Sequence, residues 1–272
     1  MPIKFSPNPL TPLLSRSSSR SSFSRSAYVS HSAKPQQVLK SRVLRSPLLR
    51  SPLLRKCVAE FLGTFVLIFA GTGAVMVNQV SLGAITHLGV SAVFGAVVAA
   101  LIYSIGHISG AHLNPAVTLA FWQGGYFRKR HVVPYIVAQV MGAIAASGVL
   151  LWTLGPVANL GATLPLKGNW MQSLILEMLL TFILMLVILG SAVDSRSHRG
   201  FGGLAIGLTV AVEAAFMGPI TGASMNPARS LGPAVMSGLW QHQWIYWVAP
   251  IVGAQCAIWV YSFVASDAGV DD

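Results

Sequence analysis

Two segments of the sequence carry the same short pattern, in which an asparagine side chain offers amide donors and the backbone before it offers carbonyl acceptors. Residues 108–116 and 220–228 both read Ile-Ser/Thr-Gly-Ala, two variable residues and then Asn-Pro-Ala, and Asn114 and Asn226 are 112 residues apart. Asparagine caps helices because its side chain accepts from the first free backbone N–H groups, and proline fits the first helical position. The pattern therefore predicts helices over about 114–123 and 226–236. A helix of about ten residues is roughly 15 Å long, which is about half of a hydrocarbon core.

A half-length helix that ends inside a membrane would expose unpaired backbone N–H groups and the positive end of its dipole. The residues before each asparagine cannot join the helix, so we expect their carbonyls to accept hydrogen bonds from water: Gly110, Ala111, His112 and Leu113, and then Gly222, Ala223, Ser224 and Met225. If the two half-length helices meet at the centre of the membrane, the side-chain amides of Asn114 and Asn226 would donate to one passing water. Its hydrogens would then point outward, which interrupts a proton relay, and two positive dipole ends would oppose cations. These features predict a passive pore for neutral molecules that needs no cofactor.

The second pattern continues with Arg229, whereas the first has Val117 at the same place. A charged residue at membrane depth is costly and is a functional candidate by default. No acidic neighbour in the sequence offers Arg229 an ion pair. We therefore expect Arg229 to act on the molecules that pass the pore.

The rest of the chain has the composition of a membrane protein. Hydrophobic residues make up 54% of the chain and charged residues 9%, far from the balance of soluble domains. Six apolar segments are long enough to cross a bilayer: about 57–77, 85–105, 132–153, 171–191, 203–218 and 243–264. Three segments and one half-length helix form a unit that occurs twice, over about 57–155 and 170–264. Because three crossings is an odd number, the second unit enters from the opposite face. We predict an all-α membrane protein with six transmembrane helices and two re-entrant half-helices in two inverted repeats.

The basic residues of the short loops predict the orientation. Arg128, Lys129 and Arg130 precede the third segment, and Arg196 and Arg199 precede the fifth, whereas the loops near 78–84 and 237–242 have no Lys or Arg. The loop near 155–169 contains only Lys167. By the positive-inside rule, both termini are expected in the cytoplasm. The plasma membrane is the expected location.

The N-terminal extension, residues 1–56, differs from the rest of the chain. It holds 11 of the 18 Lys and Arg residues and no Asp or Glu, so the formal charge of +11 lies in this extension. Its Ser, Arg and Pro content cannot bury enough apolar surface to fold alone, so we expect disorder. Two interpretations stay open: a transit peptide for a plastid or another organelle, or a cytoplasmic extension held near anionic lipid. Residues 57–264 form the expected channel domain and 265–272 a short acidic tail. Because the excess charge is confined to the extension, we expect no nucleic-acid partner.

Other chemistry finds little support in the sequence. The two cysteines, Cys57 and Cys256, lie in or beside apolar segments, where a lone cysteine is usually a packing residue. We expect no disulfide and no metal site. The sequence shows no nucleophile with a paired base and no phosphate-binding loop, so we do not expect an enzyme.

The two Asn-Pro-Ala patterns within two half-repeats closely resemble the aquaporin, or major intrinsic protein, family over about residues 57–264. The resemblance implies that the pore motifs are Asn114, Pro115 and Ala116, and Asn226, Pro227 and Ala228. It also implies a selectivity filter of Phe94, Ala214, Ala223 and Arg229, and a channel lined by the carbonyls of the two loops. Glu60 and Glu177 would brace these loops by accepting backbone N–H bonds, His112 would be a fixed pore-lining donor, and the protein would form a homotetramer with one pore per subunit.

The filter residues leave the permeating solute open. Strictly water-selective members carry His at the position of Ala214, and Ala214 with Ala223 should widen the filter, as in plant nodulin-like intrinsic proteins. Other positions favour the opposite conclusion. Glycerol facilitators carry Asp and Lys at the positions of Ser230 and Ala234, and Pro-Leu at the position of Tyr246-Trp247. We expect the protein to lie in the lipid bilayer and to conduct water and small uncharged solutes. The alternative is a facilitator for glycerol, urea or metalloid acids in which water is secondary. A proton-coupled carrier and a non-conducting membrane packing protein are less favoured. Two roles stay open for Glu213: its side chain could face the pore, or it could pack against a neighbouring helix.

Overall fold

The computed structural model describes residues 51–198 and 200–266, which form eight α-helices in that part of the chain. Six are long enough and apolar enough to cross a membrane. The helices are α1 (Pro52–Val80), α2 (Thr86–Ser109), α3 (Pro115–Gln123), α4 (Lys129–Leu154), α5 (Trp170–Ile188), α6 (Gly202–Thr221), α7 (Pro227–Ser237) and α8 (Ile245–Ser266). The prediction of six spans and two half-length helices, α3 and α7, is therefore confirmed.

The helix ends differ from the sequence prediction where local capping signals extend them. Helix α1 begins at Pro52 because Ser51 caps it, with its Oγ accepting from Leu54 N at 3.4 Å. Residues 52–56, assigned to the extension from the sequence, are thus helical. Helix α6 continues to Thr221, where Gly222 ends it in the left-handed conformation. The expectations for residues 1–50, for Arg199 and for the tail beyond Ser266 lie outside the described residues.

The helices pack in pairs that repeat across the two halves of the chain. Helix α1 packs along α4, α5 packs along α8 in the same way, and α2 crosses α6 between the halves. Each half-length helix packs against the last span of the other repeat: α3 on α8, and α7 on α4. The two half-helices are thereby held inside the bundle by both repeats.

The connection between α5 and α6 fixes one end of the pore. Helix α5 continues into one π-helical turn, Leu189–Val193, and the Asp194 carboxylate then accepts from Arg196 and from the Tyr261 hydroxyl at 2.8 Å. The hydrogen bonds from the Arg196 guanidinium hold the pKa of Asp194 well below its usual range. This contact ties the loop to α8. We call this end of the bundle, with the loops 124–128 and 194–201, the basic end.

Close helix approach depends on glycine at two symmetric positions of the α2–α6 crossing. A Cβ built on Gly95 would overlap the carbonyl oxygen of Gly207 and would lie 2.5 Å from the Ala211 Cβ. A Cβ on Gly207 would lie 2.5 Å from the Gly95 oxygen in turn. Backbone atoms cannot rotate away as a side chain can, so the two helices reach this distance only with glycine at both positions.

We expect Gly95→Ala to lower the free energy of unfolding by about 1–3 kcal/mol, because the added methyl group must push two backbones apart. Gly106→Ala is the matched control on the same helix, since its Cβ would meet only Ile102 Cγ2 at 3.8 Å. Thermal unfolding in detergent, followed by tryptophan fluorescence, measures both. Equal stability of the two variants would contradict the proposed role of this crossing.

Candidate pore and selectivity filter

The two half-length helices begin at the paired asparagines. The Asn114 Oδ1 accepts from Ala116 N at 2.8 Å, and the Asn226 Oδ1 accepts from Ala228 N at 3.0 Å. A proline follows each asparagine at the first helical position, where its missing N–H leaves no partner unsatisfied. Both asparagines are buried. Local capping thus turns each side chain so that its oxygen faces its own helix and its Nδ2 group faces away.

The Nδ2 groups join the two repeats at the centre of the molecule. Asn114 Nδ2 donates to the Met225 carbonyl at 2.8 Å, and Asn226 Nδ2 donates to the Leu113 carbonyl at 2.8 Å. Two of the carbonyls expected to face water therefore have a protein donor. An amide nitrogen carries two N–H groups, so each asparagine retains one donor that these bonds do not use.

The loops before the asparagines leave six carbonyls without a protein donor in the described part of the chain: those of Gly110, Ala111, His112, Gly222, Ala223 and Ser224. Three of the four residues before each asparagine have positive φ angles: 93° at Gly110, 47° at Ala111 and 54° at Leu113, and 87°, 39° and 53° at Gly222, Ala223 and Met225. Such a backbone cannot form helical hydrogen bonds. Buried carbonyls need a partner. Five of the six belong to residues that line the central cavity, whereas Gly222 is not among the lining residues, and water in the cavity is the partner that we expect for those five.

Two buried glutamates hold the loops in place. The Glu60 carboxylate accepts from His112 N at 3.0 Å, from Leu113 N at 2.7 Å and from Gln139 Nε2 at 2.8 Å. The Glu177 carboxylate accepts from Ser224 N, Met225 N and Thr221 Oγ1, each at 2.8 Å. Charge-assisted bonds of this kind are roughly twice as strong as neutral ones. Each repeat thus ties its own loop to its own first span.

The four residues expected to form the filter all line the central cavity, and two of them are in contact. The Arg229 guanidinium lies over the Phe94 ring, 5.0 Å from its centre, and Arg229 Nη1 donates to the Gly161 carbonyl at 2.8 Å. Ala214 and Ala223 line the same cavity, which has a volume of about 120 Å³. The cavity continues past both asparagines to Ile188 and Ala192 at the basic end.

The partner of Arg229 is a residue that sequence reasoning missed. Gly161 ends a turn, Val157–Gly161, in which Ala158, Asn159 and Leu160 also have positive φ. A Cβ on Gly161 would lie 3.0 Å from the Thr72 Cβ. The local signals for a turn are the separate turn-forming residues Gly155, Pro156, Asn159 and Gly161, and they do not indicate which side chain the turn would reach. The turn presents a backbone carbonyl rather than a carboxylate to the arginine.

A second set of missed residues forms a matching pair of side-chain networks. The Tyr135 hydroxyl donates to the Ser109 carbonyl at 2.8 Å, and in the other repeat the Tyr246 hydroxyl donates to the Thr221 carbonyl at 2.7 Å. The His112 ring packs against Tyr135, with the ring centres 5.1 Å apart, and its Nδ1 is 3.1 Å from Thr118 Oγ1. The tyrosines lie 111 residues apart, almost the spacing of the asparagines, and this spacing is the signal that could have found them.

Glu213 does not join the filter, although it precedes Ala214. Its side chain is buried, and neither carboxyl oxygen has a hydrogen-bond partner in the described part of the chain. It is not among the residues that line the cavity. The structure therefore places Glu213 within the helix packing, one of the two alternatives left open by the sequence.

The comparisons with known proteins decide the family. The sequence model described as "Major intrinsic protein" matches residues 48–261. The chain belongs to this family. It is an integral multi-pass membrane protein and a channel for water and small solutes.

Individual relatives give the same result. The chain is similar to Aquaporin NIP1-1 of Zea mays, with 47% identity over 210 residues that cover 77% of this chain and 74% of the relative. It is also 47% identical to Nodulin-26 of Glycine max, over 77% of each chain. Among solved structures, the aquaglyceroporin from Plasmodium falciparum matches with a TM-score of 0.70 at 27% identity, over 79% of this chain and 97% of that one. These relatives are channels rather than enzymes.

Proposed function

We propose that the channel passes small uncharged solutes of the size of glycerol or urea together with water. The observation that carries the proposal is the lining of the central cavity, which combines the contact between Arg229 and Phe94 with two alanines, Ala214 and Ala223. An arginine and a carbonyl ladder supply polar contacts for hydroxyl groups, and the alanine methyl groups leave room for a carbon skeleton. The similarity to a solved structure titled aquaglyceroporin supports the same solute class.

The same geometry supports the exclusion of cations and protons. The proposed pore brings together the positive ends of α3 and α7 and the buried guanidinium of Arg229. The free N–H groups of Asn114 and Asn226 would both donate to a central water, whose two lone pairs are then occupied, so this water cannot accept a proton from a neighbouring water in the pore. Glu60 and Glu177 act in this proposal as braces that fix the loop carbonyls.

We expect Ala214→His to reduce glycerol flux at least about tenfold and to change water flux by no more than about threefold, because the imidazole fills the space beside Arg229. Stopped-flow light scattering of proteoliposomes measures shrinkage in an impermeant osmolyte and reswelling in glycerol. Ala214→Ser is the matched control, since it adds one polar atom without closing the filter, and it should conduct glycerol as the wild type does.

Wild-type protein that passes water and no glycerol would overturn the mixed-solute proposal and would mean that Phe94 and Arg229 close the filter despite the alanines. A variant with histidine at 214 that still conducts glycerol at the wild-type rate would show that the constriction lies elsewhere. Empty liposomes set the baseline for both measurements.

The proposed assembly is a homotetramer in the plasma membrane, with both termini in the cytoplasm. Arg128, Lys129, Arg130 and Arg196 lie in the loops at the basic end or at the helix start beside them, which supports a cytoplasmic location for that end under the positive-inside rule. Exposed Leu, Val, Phe and Trp side chains along the spans supply the surface for lipid or neighbouring subunits. An organelle membrane is the alternative if residues 1–56 act as a transit peptide.

A further inference from the structure

A second cavity opens at the basic end, away from the pore. It has a volume of about 670 Å³ and lies between the start of α1 and the segment that leads into α4. Its basic side chains are Lys56, Arg128, Arg130 and His131, and Ser51 and Tyr126 add hydroxyl groups. We call this cavity the basic pocket. Its volume is within the range of small-molecule sites, and none of its lining residues belongs to the pore.

The positive charge of the basic pocket has no counter-charge in the part of the chain that the structure describes. The pocket lining contains no Asp or Glu. The one salt bridge within residues 51–198 and 200–266 joins Arg196 to Asp194, in a different loop. Cations held within a few ångströms of one another repel, and an anion between them would remove that repulsion. The pocket thus has the electrostatics of an anion site.

The backbone at the pocket adds further positive electrostatic potential to that of the side chains. Helices α1 and α4 both begin there, at Pro52 and Lys129, with their positive dipole ends at the same cavity. Helix α4 has no side-chain cap, and the N–H groups of Lys129 and Arg130 have no acceptor in the described part of the chain. Free N–H groups at a helix start bind the oxygens of an anion. The donors of backbone and side chains therefore converge.

We propose that the basic pocket binds a phosphate group. Arg128 and Arg130 offer planar donor forks that match two oxygens of a phosphate, which a point charge cannot do. The pocket lies at the first residues of α1 and α4, two helices long and apolar enough to cross a membrane, and the ends of such helices are expected beside the polar headgroups. An anionic lipid headgroup and free phosphate share this chemistry. The site is independent of the pore residues and of the proposed solute.

The test uses the full-length protein in detergent, with native mass spectrometry of bound lipid. The probes are phosphatidic acid, phosphatidylcholine and inorganic phosphate. We expect phosphatidic acid to bind at least about tenfold more tightly than phosphatidylcholine, and the double variant Arg128→Gln/Arg130→Gln to lose that preference. Lys129→Gln is the matched control, because Lys129 lies over the Trp122 ring at 5.9 Å and does not line the pocket. It should bind within about twofold of wild type. Thermal unfolding verifies that each variant is folded.

The competition arm distinguishes the two sources of phosphate. Displacement of phosphatidic acid by millimolar inorganic phosphate would support a site for the free ion, and retention of the lipid would support a headgroup site. Equal loss in Lys129→Gln and in the double variant would overturn the proposal, since any basic surface would then suffice. Tighter lipid binding after Asp267, Asp271 and Asp272 are all changed to Asn would also overturn it, because the acidic tail would then be the occupant.

Discussion

Replacement of Glu177 by glutamine is expected to lower the free energy of unfolding by about 2–4 kcal/mol, the value of a lost charge-assisted bond and an unsatisfied buried donor. The carboxylate accepts from three donors, Ser224 N, Met225 N and Thr221 Oγ1. A glutamine turns an N–H toward at least one of these donors, so one bond is lost and two donors face each other. The apparent melting temperature should fall by roughly 5–15 °C. Water permeability should fall with it, because the loop before Asn226 loses its brace.

Glu213→Gln is the control for this prediction. It makes the same chemical change in a buried glutamate whose two carboxyl oxygens have no partner in the described residues. No hydrogen bond to the described residues is lost there, and glutamine has nearly the same volume as glutamate, so the packing is preserved. We expect the melting temperature of this variant to be unchanged or higher. If both variants melt at the same temperature, the loops are stable without the bonds to Glu177.

Replacement of Arg229 by valine, the residue at the same place in the first repeat, is expected to open the channel to protons. The guanidinium is buried at the cavity wall. One charge about 6 Å from a passing cation is worth about 3 kcal/mol at an effective dielectric constant of about 20. Its loss should raise proton permeability about a hundredfold. A pH-sensitive dye inside proteoliposomes measures the leak after an imposed pH step.

Arg229→Lys separates charge from shape. Lysine keeps the positive charge but lacks the planar group that lies over Phe94 and donates to Gly161. We expect this variant to stay closed to protons while its glycerol flux changes. If Arg229→Val is as proton-tight as the wild type, exclusion depends on the asparagines and helix dipoles alone.

Much of the fold was predictable because its signals are local. The apolar segments are continuous in sequence, and each half-length helix begins at an Asn-Pro pair whose capping bonds span two residues. The constant offset of 112 residues between Asn114 and Asn226 predicted the repeat, and an odd number of crossings then required its inversion. The resemblance to a known family supplied the filter positions, and the structure places Phe94 and Arg229 in contact.

The tertiary structure alone decided which partners meet across long stretches of chain. Arg229 bonds to a carbonyl 68 residues away, and each asparagine amide bonds to a carbonyl of the opposite loop rather than only to water. Glu213 is adjacent to Ala214 in sequence, but successive side chains of a helix point about 100° apart. Ala214 therefore lines the cavity and Glu213 does not. The basic pocket likewise combines residues of two segments that no motif connects. Capping, hydropathy and repeats are properties of neighbouring residues, whereas these contacts depend on the distances between helices, which only the packed bundle fixes.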